Sequence, residues 1–209
     1  MLTKAPVAGL VKTRLGLSIG HGRAAAIYRG FVRCLGRRLA DRSYSVTLAV
    51  DPPTAQHQLA ALWGRPVQSM AQARGGLGER IRAALDAGRR RGAVVVIGAD
   101  APAVSARCLV TAFKALDRAD IVLGPAQDGG FWLIGISGRR ADALTFDGVR
   151  WSSASTLSDV IASLPSKMRV VKIHTHKDID EVEELEPPVV TAPLPHLLIS
   201  TQFQSSQSS

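Results

Sequence analysis

The run Val94-Val-Val-Ile97-Gly98, closed by Ala99-Asp100-Ala-Pro102, constrains the fold of this chain more than any other stretch. Its β-branched residues show no polar alternation, so the strand they form is covered on both faces, as the central strands of α/β sheets are. Similar signals recur at Val46–Val50, which Asp51, Pro52 and Pro53 stop, at Ile121–Leu123, and at Phe131–Ile136 after a Gly-rich turn. Helical stretches lie between them at Arg23–Asp41, Glu79–Arg91 and Ala106–Leu116. Strand alternating with helix predicts a parallel or mostly parallel sheet with helices on both faces. Only Met1–Thr3 precede the first loop, so a first strand there is either a stub, shorter than the usual five or so residues, or the encoded start lies upstream.

A chain of 209 residues that is 46% hydrophobic is long enough for one well-buried core and too short for two ordinary domains. The expected domain spans 1–187. Beyond it, residues 188–209 are rich in Pro, Ser and Gln with no sustained period, which predicts a partly disordered tail. Docking of Leu197–Ile199 on a second subunit leaves a homo-oligomer open. No uncharged apolar run reaches about 18 residues and no secretory leader is legible, so no membrane span and a cytoplasmic location are expected. The two cysteines, Cys34 and Cys108, belong to no CxxC or Cys/His cluster, and reduced structural thiols are expected. The net charge of +9 attracts anions, but the arginines are scattered along helices without interleaved aromatics, which disfavours a nucleic-acid partner.

Several constellations carry chemistry. The loop Lys4-Ala-Pro6-Val-Ala-Gly9-Leu-Val-Lys12-Thr13-Arg14 places a glycine and three cations between a strand stub and a helix, an arrangement that suits a phosphate cradle or a basic solvated loop. Neither the Walker spacing nor GxGxxG is present. Asp100 follows the exit of an apolar strand, where α/β sheets bind ligands; it is a candidate Mg²⁺ ligand or, alternatively, a cap for the helix near Ser105 or a shaper of the Pro102 turn. Asp128-Gly129-Gly130 reads as a hairpin turn or as a close approach to a ligand, with Asp128 facing sugar hydroxyls or a metal-bound water. Ala73–Arg80 either wraps a nucleobase or simply enters a helix. His174, His176 and Asp178 lack the pattern and the cysteines of a zinc site, and the acids of Asp178–Glu184 suit a helix N-terminus.

Four blocks in this order, KAPVAGLVKTRL (Lys4–Leu15), GGLGERI (Gly75–Ile81), IGADAP (Ile97–Pro102) and LGPAQDGGFWLIGI (Leu123–Ile136), resemble the bacterial DUF2064 family, which is described as nucleotide-diphospho-sugar transferases. The similarity covers most of residues 1–185. The wider superfamily includes molybdopterin guanylyltransferases and phospholactate guanylyltransferase. The resemblance implies a GT-A-like three-layer α/β/α sandwich with a mostly parallel mixed sheet. It carries nucleotide and phosphate contacts to Lys4, Pro6, Gly9, Lys12, Thr13, Arg14, Leu77, Gly78 and Arg80. It implies Mg²⁺ or Mn²⁺ at Asp100, with Asp180 as a second ligand, although the family's late acidic block reads DEVEEL here. Acceptor contacts fall to Asp128, Gly129, Gly130, Trp151 and Ser152, and the catalytic set is Asp100, Asp128 and Lys12. Gly76 replaces the Asp of the family's GDLGER.

The expected chemistry is metal-dependent transfer from a nucleotide-activated substrate to an unknown acceptor. Glycosyl transfer from a nucleotide-diphospho-sugar is preferred. Guanylyl- or cytidylyl-type transfer with release of pyrophosphate is the alternative, and a catalytically inactive nucleotide-binding regulatory module is a third reading.

Overall fold

The computed structural model describes residues 1–138 and 144–175. The expected domain limit at 187, the tail and Asp180 lie outside these residues.

Seven strands and six helices follow in the order β1 (Leu2–Lys4), α1 (Thr13–Ile19), α2 (His21–Arg38), β2 (Thr47–Asp51), α3 (Gln56–Trp63), β3 (Gln68–Ala71), α4 (Leu77–Arg89), β4 (Val94–Ile97), α5 (Ala106–Leu116), β5 (Ile121–Pro125), β6 (Phe131–Ile136), α6 (Thr156–Ser163) and β7 (Val170–Lys172) among the described residues. Strands β1, β2 and β3 form one parallel sheet in that order, and the second sheet runs β4-β6-β5-β7. A single parallel bridge, Leu2 to Gly98, joins β1 to the end of β4. In the second sheet β6 is antiparallel to both β4 and β5, while β7 is parallel to β5. The sheet is therefore mixed, and the hairpin β5–β6 makes it so.

Side-chain alternation along the strands sorts the core into two layers. Ile97, Val122 and Leu133 pack with Leu35 of α2, Leu59 of α3 and Leu109 of α5. Their neighbours Val96, Ile121, Leu123 and Ile134 pack with Ile81 and Leu85 of α4 and Val160 of α6. Successive residues of a strand face opposite sides, so helices cover both faces and the architecture is a three-layer α/β/α sandwich. Helix α5 shows why the sequence folds this way locally: Leu109, Ala112 and Leu116 are its buried residues, and that i, i+3, i+7 spacing forms one apolar stripe.

The first strand is the stub expected from its length, and α5 and β6 occupy the expected spans. Helix α2 starts before Arg23 and ends at Arg38, and α4 starts at Leu77 rather than Glu79. Five short elements, α1, α3, β3, α6 and β7, come in addition. None exceeds eight residues, too few to display a convincing period.

Candidate active site

A cleft of about 790 Å³ opens where β1 and β4 end. Its lining comes from the loop and α1 (Leu10 to Arg14), from β1 with Tyr28 behind it, from Gly75 to Leu77, from Gly98 to Asp100, and from Asp128 and Ser152 to Ala154. The C-terminal edge of a parallel sheet collects ligand-binding loops because each strand there hands over to a turn that leads into a helix.

Lys12 sits at its floor. The Nζ lies 3.7 Å from Asp100 Oδ2, and the side chain is 2% exposed against 55% for Asp100. The same ammonium stands 5.8 Å from the centre of the Phe31 ring, a distance at which the ring's quadrupole attracts a cation. The Lys12 backbone is left-handed, at φ 46° and ψ 50°, and occupies the N-cap position of α1. A non-glycine residue held there costs on the order of 1–3 kcal/mol, and this geometry directs the side chain inward. No side chain caps α1. The amide groups of its first turn, at Thr13 and Arg14 on the cleft wall, are donors of the kind that bind phosphate. Helix α4 enters from the opposite wall, with Gly76 as N-cap and likewise no side-chain cap.

Asp100 is not a helix cap: α5 begins after Ser105. It stands on a clamped turn instead. Val104 N donates to Ala101 O at 3.1 Å, while the Arg38 guanidinium, from the end of α2, donates to Ala103 O at 2.9 Å and Val104 O at 3.2 Å. Asp128 occupies the β5–β6 hairpin turn, where its Oδ1 accepts the Gly130 amide at 2.8 Å. Gly129, at φ 86°, lies so close to the Ala154 carbonyl that a Cβ would collide with it. Leu157 N then donates to Gly129 O at 2.9 Å, and this contact brings Ser152–Ala154 onto the cleft rim.

Arg80 lines the cleft but spends its donors on the protein. It reaches Asp51 Oδ2, Gln72 Oε1 and Gly75 O, each at 2.9 Å. Its role is to brace the Gly75–Gly76 turn against the end of β2. Tyr28 is buried at the back wall, where its hydroxyl accepts the Lys4 amide at 3.0 Å. Burial, with the Asp100 charge adding to it, pushes the Tyr28 phenol well above its ordinary range, so it remains a neutral hydroxyl.

The family profile described as "Uncharacterized protein conserved in bacteria (DUF2064)" matches residues 34–153. The chain belongs to the DUF2064 family. Among solved structures it is similar to a "putative nucleotide-diphospho-sugar transferase" from Desulfovibrio desulfuricans G20, with 30% identity, a TM-score of 0.78, and coverage of 88% of this chain and 82% of that one. It also shares the fold of a 4-diphosphocytidyl-2C-methyl-D-erythritol synthase from Anaerococcus prevotii DSM 20548, at 9% identity and a TM-score of 0.52, over 88% of this chain and 92% of that one. A search of curated proteins found no match. The nucleotide-diphospho-sugar transferase fold expected from the sequence is thus the fold of this DUF2064 member.

Within that fold, Lys4, Lys12, Thr13, Arg14, Leu77, Arg80, Asp100, Asp128 and Ser152 all line one cleft. Other expected site residues support it from behind. Pro6 is buried and its carbonyl accepts from Arg29 at 3.2 Å. Gly9, at φ 81°, turns the loop. Gly78 lies under the Trp151 indole, which a Cβ would meet at 2.8 Å. Trp151 itself packs edge-on against Phe131 and Phe146; it anchors α4 and is not part of the cleft wall. Tyr28, Gln72 and Ser153 are cleft residues that motif reading missed. The i, i+3, i+4 set of Ala24, Ala25, Tyr28, Phe31 and Val32 marks Tyr28 as core, and only the structure shows its hydroxyl at the cleft.

The Asp100 carboxylate, more than half exposed on the cleft wall, is a hard oxygen donor of the kind that suits Mg²⁺ or Mn²⁺. Among the described residues no group of three or more His, Cys, Asp or Glu side chains stands together, so such an ion would complete its coordination with phosphate oxygens and water.

Proposed function

We propose that this DUF2064 protein is a metal-dependent transferase acting on a nucleotide-activated substrate, most simply a glycosyltransferase that uses a nucleotide-diphospho-sugar. The observation that carries the reading is the buried Lys12 ammonium 3.7 Å from Asp100 at the floor of the cleft. A fixed cation and a carboxylate side by side, below an uncapped helix start, suit a phosphate chain that brings its own divalent ion. Asp100 would hold that ion, and Lys12 with Arg14 would neutralise the phosphates. The bound metal would offset charge on the leaving group. Arg14 is exposed at the mouth and makes no ion pair among the described residues, so its guanidinium is available to a ligand. The likeness at 30% identity to the Desulfovibrio protein supports a sugar nucleotide as donor.

The test is a thermal-shift screen of nucleotides and nucleotide sugars with Mn²⁺, since a ligand of the native state raises apparent stability. It is followed by product analysis on the hits. A nucleoside diphosphate released from a sugar nucleotide supports glycosyl transfer, and pyrophosphate released from a triphosphate supports nucleotidyl transfer. Binding without turnover across acceptors would favour a regulatory module. Metal-dependent binding that persists unchanged in Asp100→Asn would overturn the assignment of Asp100.

A further inference from the structure

The first forty residues hold eight Lys and Arg and no Asp or Glu. Helix α2 shows how the structure displays them. Arg23, Ala26, Gly30, Arg33 and Arg37 are exposed, and their spacing of three and four places them on one outward stripe. Small residues at the centre of this stripe leave it low, with nothing within 4 Å of a Cβ built on Gly30. Helix α1 packs beside α2 and carries the most exposed large apolar residue of the described chain, Leu17 at 82%. Leu10, at 63%, and Val7 precede it on the loop. Three of the five exposed large apolar residues among those described therefore fall within residues 7–17, and Arg14 is exposed among them.

We infer that this surface docks on an anionic lipid bilayer. Apolar tips beside a flat cationic face combine the two contributions that hold a protein at a membrane surface: insertion of side chains at the acyl boundary and attraction to acidic headgroups. A nucleic acid would use the charges and leave Leu17 and Val7 in water, and no aromatic side chain is exposed on this stripe for stacking bases. A second copy of the chain packed symmetrically on this face would meet the same positive stripe and be repelled. Docking this way brings the cleft mouth, where Leu10 and Arg14 stand, to the membrane. If the transferase reading holds, the acceptor is a molecule carried in the bilayer surface. The docking itself does not depend on that reading.

The experiment is sedimentation of the full chain, without nucleotide, with phosphatidylglycerol/phosphatidylcholine vesicles and with pure phosphatidylcholine vesicles at about 0.15 M salt. Binding to the anionic vesicles alone is expected. Arg33→Glu/Arg37→Glu should weaken it at least tenfold, taking roughly fivefold per lost cation. Leu17→Asp should also weaken it several-fold, with the melting temperatures of both variants unchanged. No binding to anionic vesicles overturns the inference. So does binding that Leu17→Asp leaves intact, since that is mere adhesion of a polycation, preference for a nucleic-acid duplex over vesicles, or concentration-dependent self-association abolished by Leu17→Asp.

Discussion

Replacing Lys12 by Met should have two effects of opposite sign. At 3.7 Å the attraction between two unit charges is about 1 kcal/mol in water and about 4–5 kcal/mol at an effective dielectric of about 20. Asp100 is more than half exposed, which places the pair near the lower figure in the free protein. A phosphate chain seated over Lys12 excludes water, and loss of a charged hydrogen bond there costs about 1.5–3 kcal/mol. Nucleotide affinity should therefore fall by roughly 10- to 150-fold, as read by isothermal titration with the Mn²⁺ complex of a nucleoside diphosphate. Affinity for Mn²⁺ alone should instead rise by about fivefold, on the order of 1 kcal/mol, because a cation that repels the ion from Asp100 is gone; electron paramagnetic resonance of free Mn²⁺ reads this directly. Met fills the aliphatic volume and removes a buried charge, so unfolding free energy should move by less than about 1.5 kcal/mol. Unchanged nucleotide affinity, or a loss that only tracks a fall in melting temperature, refutes the role.

Asp100→Asn should leave the fold intact and abolish the Mn²⁺ dependence of nucleotide binding in titrations with and without chelator. Arg80→Ala removes three hydrogen bonds to Asp51, Gln72 and Gly75 and should destabilise the protein by about 1–3 kcal/mol in urea unfolding, while Arg14→Ala should weaken nucleotide binding and leave stability unchanged. Gly78→Ala forces a Cβ against Trp151 at 2.8 Å and should cost about 1–3 kcal/mol, with a change in tryptophan fluorescence. Burial, above all, pushes the Tyr44 phenol up to about 12, and Tyr28 shifts in the same direction. Both contributions are fully present below the unfolded value of about 10 and are lost as pH rises through the folded values, so unfolding midpoints should fall steeply above pH of about 10 and less so in Tyr44→Phe.

The long elements were legible because their residues answer to one rule each. Val94–Ile97 is apolar throughout and became β4, which pairs with β6 and, through the bridge at Gly98, adjoins β1; Ala106–Leu116 carries one clean stripe and became α5. Helix α1 was missed because Thr13–Ile19 buries only Leu15 and Gly16, which makes no period. The motif loops lie along the cleft, whereas the packing of Trp151 over Gly78 joins residues 73 positions apart and leaves no local pattern. Sequence distance hid the brace from Arg38 to the turn after Asp100 and the placement of Tyr28 behind the cleft. A contact between residues some sixty positions apart leaves no local pattern to read.

The bridge from Leu2 to Gly98 has a mechanical meaning. It is the sole backbone pairing between the half-sheet that leads into Lys12 and the half-sheet that leads into Asp100 among the described residues. The ion pair across the cleft floor spans that same seam. A ligand gripped by Lys12 on one side and Asp100 on the other would act as a rivet through both plates. Its occupancy would then be legible far from any chemistry, as slowed hydrogen exchange along Leu2–Lys4.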